Sequence, residues 1–364
     1  MSGRIDRRLL LIVALLVLVG LVILYSASAP FSQRHYGSDT SMLFRQFLAA
    51  SAGIALLVFL SFFDYRRLAA INDLLFLGAI GLTALTILPI GLGDGRWISI
   101  GPLALQPTEL LKFTLIVYLA GAISRKGESI RSFVQGVLPF LAVLAVLGTI
   151  VLNQPDLGML LVYAVLTGTM LFLGGANVWH LVGVGCGGLP LAALAIRFAP
   201  YRFARILSFL NPQAYSTSSG YQTIQSLIAV GSGGIVGRGL GASRAKLFYL
   251  PQAHNDFILS IVAEETGLLG TLVIFSLIGL LVWRAFVISE RATDQLGRLL
   301  ALGIGFVIGF QALLNAGVVL GILPVTGLTF PFLSNGGSSL LVTLAMVGVL
   351  LNVSKHATQG GGIR

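Results

Sequence analysis

"LLLIVALLVLVGLVILYSASA", residues 9–29, decides the fold class. No charged side chain interrupts it, and a helix crossing a bilayer needs about 20 predominantly apolar residues. Arg4, Arg7 and Arg8 precede it. The run is long for a secretory leader, and Pro30 directly follows a loose Ser26-Ala27-Ser28-Ala29 cleavage pattern. It therefore reads as a retained first span with its basic start in the cytoplasm.

Runs of the same kind recur at 44–62, 74–92, 107–123, 133–152, 157–174, 178–198, 257–283, 299–322 and 338–354. The expected fold is an all-α polytopic membrane protein of about ten transmembrane helices. One long extracytoplasmic loop, 200–255, separates spans seven and eight, and residues 1–364 make a single membrane domain. Composition agrees: only 10% of the chain is charged, against about 25% in soluble domains. Within the loop, "RFARILSFLNP" and "SGYQTIQSLIAVGSGG" carry helical apolar spacing and read as amphipathic pieces on or in the membrane.

Charge fixes the orientation. Ten spans put both termini on one side, where thirteen of the 23 Lys and Arg fall. The short segments opposite carry four: Arg34, Arg45, Arg96 and Lys112. That bias places both termini in the cytoplasm. The net charge of +10 thus reports topology first. Contact with membrane lipid is a secondary reading, and nucleic acid is not an expected partner. The single cysteine, Cys186, cannot form an internal disulfide and reads as a small packing residue.

Several motifs have bland readings. "GRGLGA" (237–242) fits a dinucleotide fingerprint but lacks the strand and βαβ unit that chemistry needs, so it reads as a turn. A weaker option is a phosphate held by its amides near Arg238, Arg244 and Lys246. The GxxxG pairs Gly183/Gly187 and Gly305/Gly309 read as helix-packing contacts. Glu109 and Lys112, three apart at the start of a span, suit an ion pair or a cavity. Arg96 and Trp97 suit interfacial anchors. Asp156 in "NQPDLG" suits a helix start. "LTFPFLSNGGSSLL" (328–341) implies irregular backbone, tolerated at membrane depth only where buried or lining a wet cavity.

Acid concentrates in "LPQAHNDFILSIVAEETGLLG" (250–270). Taken as helical from Asp256, the stretch puts Glu264 about 80° around and about 12 Å deeper, with Glu265 on the opposite face. Asp256 then stands alone at the outer surface beside His254. Glu264 and Glu265 read as organisers of helices or of the cavity floor.

"GYQTIQSLIAVGSGGIVGRGLGASRAKLFYLPQAHNDFILSIVAEETGLLG", "QPTELLKF", "NQPDLG" and "GLTFPFLSNGGSSLL" together closely resemble the SEDS family (shape, elongation, division and sporulation), in the family's order and over nearly the whole chain. "PQAH" and "GLTFPF" resemble the division type, FtsW, more than the elongation type, RodA. The resemblance implies a peptidoglycan glycosyltransferase that joins lipid II units into glycan with release of undecaprenyl pyrophosphate. It also implies a class B penicillin-binding protein as partner, and the cytoplasmic membrane as location with the active site on the outer face. The family's essential acid falls on Asp256, and its Glu and Lys motif on Glu109 and Lys112. His254 and Ser338 lie in matched motifs and are expected at the substrate. Gln252, Asn255 and Asn335 depart from the family's usual Glu, Thr and Tyr.

One acid suits this chemistry, because pyrophosphate leaves without the proton that glycosidases must supply. Asp256 is the expected base for the acceptor hydroxyl. Lys112, Arg96, Arg244 and Lys246, with or without a divalent cation (Mg²⁺ or Mn²⁺), would hold the pyrophosphate. A lipid II flippase and a non-catalytic scaffold for the transpeptidase are the alternative readings.

Overall fold

The computed structural model describes residues 5–87, 95–100, 103–154, 156–215 and 219–357. The expected end of the third span (88–92), Arg4, Pro155 and Arg364 lie outside the described residues. The described helices are α1 (Arg7–Tyr36), α2 (Ser41–Phe62), α3 (Tyr65–Leu85), α4 (Pro107–Lys126), α5 (Leu138–Asn153), α6 (Leu157–Leu173), α7 (Val178–Arg197), α8 (Pro200–Leu210), α9 (Ser219–Gly233), α10 (Ile258–Arg291), α11 (Gln295–Val319) and α12 (Gly337–His356). Ten of them coincide with the ten expected spans, and α8 and α9 are the two amphipathic pieces. Among the described residues, eight helices are long and apolar enough to cross a membrane, and Leu157–Leu173 is a shorter apolar one. The chain is a multi-pass membrane protein.

Aspartates start α1, α3, α6 and α11, where a carboxylate satisfies orphan amides and meets the positive end of the dipole. Asp6 accepts from the amides of Arg8 and Leu9, Asp64 from Arg66 and Asp294 from Gly297. The Asp64 cap explains why α3 begins at Tyr65 and not at 74, where the uninterrupted apolar run starts. The amide of Asp6 donates to Ser354 at 3.4 Å and its carboxylate pairs with Arg284. The described ends of the chain therefore share one face, here the terminal face. The end of α1, parts of the connector before α4, the turn at 251–257 and residues 327–337 meet at the opposite, loop face, and α8 reaches it through Arg205.

Burial sorts the helices into layers. The central windows of α4, α11 and α12 are 78%, 67% and 83% buried, against 28–39% for α1, α2, α3, α5 and α10. The first three form the inside, so polar groups on them are shielded from lipid. Close backbone approach helps: a Cβ on Gly348 of α12 would lie 2.6 Å from the Leu57 carbonyl oxygen of α2. Gly305 and Gly309 pack against Ala285 and Val282 of α10, as expected. A Cβ on Gly183 or Gly187 would meet nothing among the described residues, and Cys186 beside them is exposed, so among those residues this face of α7 is not a packing seam.

One element is unforeseen. In the connector before α4, β1 (Ile98–Ile100) pairs antiparallel with β2 (Leu103–Leu105), Ile98 opposite Leu105. Three-residue strands carry too little periodicity to show in the sequence.

Candidate active site

Asp256 does not belong to α10. Residues 251–257 form consecutive turns, and the helix starts at Ile258. The rotation expected between Asp256 and the two glutamates therefore does not apply. The turn is held by its own backbone. Asn315 of α11 donates to the Asp256 carbonyl at 2.8 Å, Ser334 to that of Asn255 at 2.7 Å, and the Asn335 amide to that of His254 at 2.9 Å.

These bonds set Asp256 in the wall of a cavity of about 280 Å³ at the loop face. Arg45 and Gln46 of α2, Arg96, Trp97 and Gln106 of the connector, and Asn255, Thr329 and Asn335 line the rest. Burial pushes the Asp256 carboxyl up to about 6, against pulls downward from Arg205 and Arg96 and a push upward from Asp156. Burial also raises Asp156, with Arg96 drawing it down. Asp156 starts α6 by accepting the Met159 amide at 3.1 Å, and its other oxygen accepts from Gln106 at 3.3 Å. Arg96 donates its Nε to the Gln154 carbonyl at 2.8 Å, and Arg205 of α8 donates to the Val325 carbonyl at 3.1 Å. Two carboxylates and two guanidiniums thus act on one another around this cavity.

Of the expected site residues, Asp256 and Arg96 share the cavity. Glu109 and Lys112 do not line it. They are buried in the first turns of α4 as an ion pair at 2.5 Å, and Lys112 donates to Gln311 of α11 at 2.9 Å. Gln311 in turn donates to the Thr329 carbonyl at 3.3 Å, so the pair braces the cavity wall from behind. His254 is buried against Phe31 of α1, ring centroids 4.5 Å apart. Burial, with His35 nearby, lowers its pKa to about 4, so it is neutral at physiological pH. Ser338 is buried between the Gln106 amide, from which it accepts at 2.8 Å, and the Ala104 carbonyl, to which it donates at 2.8 Å. It fixes α12 to the hairpin and does not face the cavity.

Arg244 and Lys246 are elsewhere. Lys246 is buried, paired with Glu265 at 2.7 Å. The amides of Arg244 and Ala245 go to the Glu264 carboxylate at 3.1 and 3.2 Å. In the stretch suggested as a phosphate site, the amides of Gly237, Arg238, Gly239 and Ala242 donate to the backbone carbonyls of Gly233, Glu264, Glu265 and Gly239.

Gln252, Asn255 and Asn335 form a connected set. Asn255 donates to the Gln252 side chain, and Asn335 donates to the Asn255 side chain at 3.1 Å. Three apparently independent departures from the family pattern thus meet at the cavity rim.

Two site residues read as bland in the sequence are Asp156 and Arg205. Asp156 is a helix start and also a second acid near Asp256. Arg205 falls in an amphipathic helix whose basic residues carry no spacing signal toward a site 50 residues later. A divalent cation at this cavity would need substrate phosphate or water to complete its shell. Among the described residues no group of three or more His, Cys, Asp or Glu could hold one, and guanidiniums flank the two acids. No step is derived through a metal.

A family model, the FtsW/RodA/SpoVE cell cycle proteins, matches residues 6–359. The chain is 42% identical over 361 residues to stage V sporulation protein E of Bacillus subtilis, covering 97% of each. It is 41% identical over 355 residues to a probable peptidoglycan glycosyltransferase FtsW of Geobacter metallireducens, covering 96% of this chain and 95% of that one. Among solved structures, a chain of a peptidoglycan synthase complex that coordinates polymerization and crosslinking superposes with a TM-score of 0.80 at 32% identity, over 98% of this chain and 99% of that one. The rod shape determining protein RodA of Thermus thermophilus gives 0.72 at 30%, over 98% of both chains.

Proposed function

The chain belongs to the FtsW/RodA/SpoVE family, and from that premise and the cavity at its loop face we propose that it is a peptidoglycan glycosyltransferase that polymerises lipid II. The observation that carries the reading is the place of Asp256: a partly buried aspartate in the wall of this cavity, its carboxyl raised to about 6 by burial and drawn down by Arg205 and Arg96. A base poised near the working pH is effective, and contributes about 10²–10⁴-fold.

The acceptor sugar hydroxyl enters the cavity beside Asp256. Its oxygen bonds the anomeric carbon of the donor as the bond from that carbon to undecaprenyl pyrophosphate breaks. Asp256 takes the hydroxyl proton. The displacement is in line, so configuration inverts. Arg96 and Arg205 offset the charge that develops on the leaving pyrophosphate, which then departs unprotonated. Both guanidiniums are already anchored through a backbone carbonyl, so little reorganisation accompanies charge development. Asn255, Asn335 and Gln106 present amides to the sugars from the cavity wall. Glu109 and Lys112 support the site from behind.

The loop face is the outer face of the bacterial cytoplasmic membrane, with both termini inside, as the bias of basic residues requires. The product strand is passed to a class B penicillin-binding protein. The purified protein, given lipid II, should release glycan and undecaprenyl pyrophosphate, and Asp256→Ala should release neither. A full yield from that variant would refute the assignment. Lipid II flipping in liposomes with no glycan formed would favour a transporter.

A further inference from the structure

Glu264 and Glu265 are buried charges that the reaction does not use. Both carboxylates are fully engaged by the segment that leads to Asp256. Glu264 accepts from the Ser243 hydroxyl at 2.5 Å and from the amides of Arg244 and Ala245, and pairs with Arg238 at 3.3 Å. Glu265 pairs with Lys246 at 2.7 Å and accepts from Ser26 of α1 at 2.7 and 2.8 Å, while Lys246 also donates to Ser26 at 2.9 Å.

The backbone repeats this arrangement. At Gly267, φ is +66°, and α10 breaks there. The Arg238 and Gly239 amides donate to the carbonyls of Glu264 and Glu265, and the Leu268 and Leu269 amides donate to those of Gly234 and Ile235. A Cβ on Gly267 would lie 2.4 Å from the Gly237 nitrogen, so the two strands of chain touch backbone to backbone. Broken helices at membrane depth are tolerated where neighbouring groups re-satisfy the freed amides and carbonyls.

The consequence is a closed loop. Residues 246 and 264–265 are fastened together at its base, and Asp256 lies near its apex, where Asn315, Ser334 and Asn335 hold the turn. The first helix straps both levels, through Ser26 at the base and Phe31 against His254 above. We infer that the Glu264 and Glu265 cluster, with Ser243, Lys246 and Ser26, is a latch that fixes the register of this loop, and that its members are positioning residues for Asp256. Misplacing a reacting group by about 1 Å can cost about 10²-fold. Substrate affinity comes from other walls of the cavity, so a loosened latch lowers kcat and leaves KM nearly unchanged. It also admits more water around Asp256, whose charged and titratable neighbours are Arg96, Arg205 and Asp156, with Arg45 and Tyr36 lining the same cavity.

The inference rests on the proposed role of Asp256, so the experiment carries both. Glu265→Gln alone leaves Lys246 buried without its partner and can fail to fold. The paired variant Glu265→Gln with Lys246→Met removes both charges at similar volume. Lipid II polymerisation by purified protein is followed across pH 4–8 alongside thermal unfolding and an Asp256→Asn control. The expected result is a folded paired variant with kcat down about 10-fold or more, KM within twofold and the acid limb of the pH profile displaced downward. A folded paired variant with parental kcat and parental pH profile overturns the latch. So does a fall in activity that merely tracks the loss of folded protein. An active Asp256→Asn control overturns the reading of the base instead.

Discussion

Replacing Asp256 by asparagine should raise stability and abolish activity. In the folded protein burial lifts this carboxyl from 3.8 to about 6. Each unit is about 1.4 kcal/mol, so holding the group ionised at pH 7 costs the fold about 3 kcal/mol. The sign follows from linkage. The folded pKa is raised, so the unfolded chain ionises first, and stability is lost as pH climbs from about 4 to about 6. Asparagine keeps the shape and carries no charge. Its advantage should be absent at pH 4, grow through that window and level off above it. At about 2 °C per kcal/mol for a large domain, the gain at pH 7 is on the order of 5 °C in Tm. Thermal unfolding in one detergent at pH 4, 5.5 and 7, read beside glycan synthesis, measures both effects. A variant that is less stable than the parent at pH 7, or whose difference does not change with pH, refutes the argument that Asp256 is held at an energetic disadvantage for its role.

Other expectations use the same geometry. Asp156→Asn removes a charge that pushes Asp256 up, so the acid limb of the pH–rate profile should move down; Arg205→Gln should move it up. Equal displacement in one direction would contradict the electrostatics. Lys112→Met strands Glu109 as a buried charge and should cost about 3–5 kcal/mol, seen as a collapse in folded yield. Adding Glu109→Gln should recover much of that yield, and parental yield from Lys112→Met alone would contradict burial of the pair. Gly348→Leu forces side-chain volume against the Leu57 carbonyl and should part α2 from α12, lowering Tm by an amount that Gly183→Leu, on an open face, does not.

Much of this was legible in the sequence because the bilayer simplifies the code. An apolar run of span length has one structural outcome, and ten runs gave ten helices. The amphipathic pieces at α8 and α9 were readable for the same reason. The start of α3 was not, because Asp64 caps a helix ahead of its apolar stretch. Asp256 was identifiable as an isolated acid at a span edge, and by resemblance. Its surroundings were harder. Lys112, Lys246, His254 and Ser338 are polar residues in the right motifs, yet each is claimed by a partner that only tertiary packing supplies: Gln311, Glu265, Phe31 and Gln106. The backbone amide of Arg244 is likewise held by Glu264. Conversely, Asp156 and Arg205 come from distant segments and meet Asp256 only in the folded chain. The sequence reads Glu264 and Glu265 as organisers on different faces, but it shows neither the break at Gly267 nor the loop that both carboxylates hold.

The central claim is that Asp256 is the base of a lipid II polymerase, and the most direct test is the pH dependence of glycan synthesis by the purified protein. The rate should fall as pH drops through about 6, with no glycan from Asp256→Ala at any pH. A rate that is flat between pH 5 and 7, or glycan made by Asp256→Ala, would contradict it.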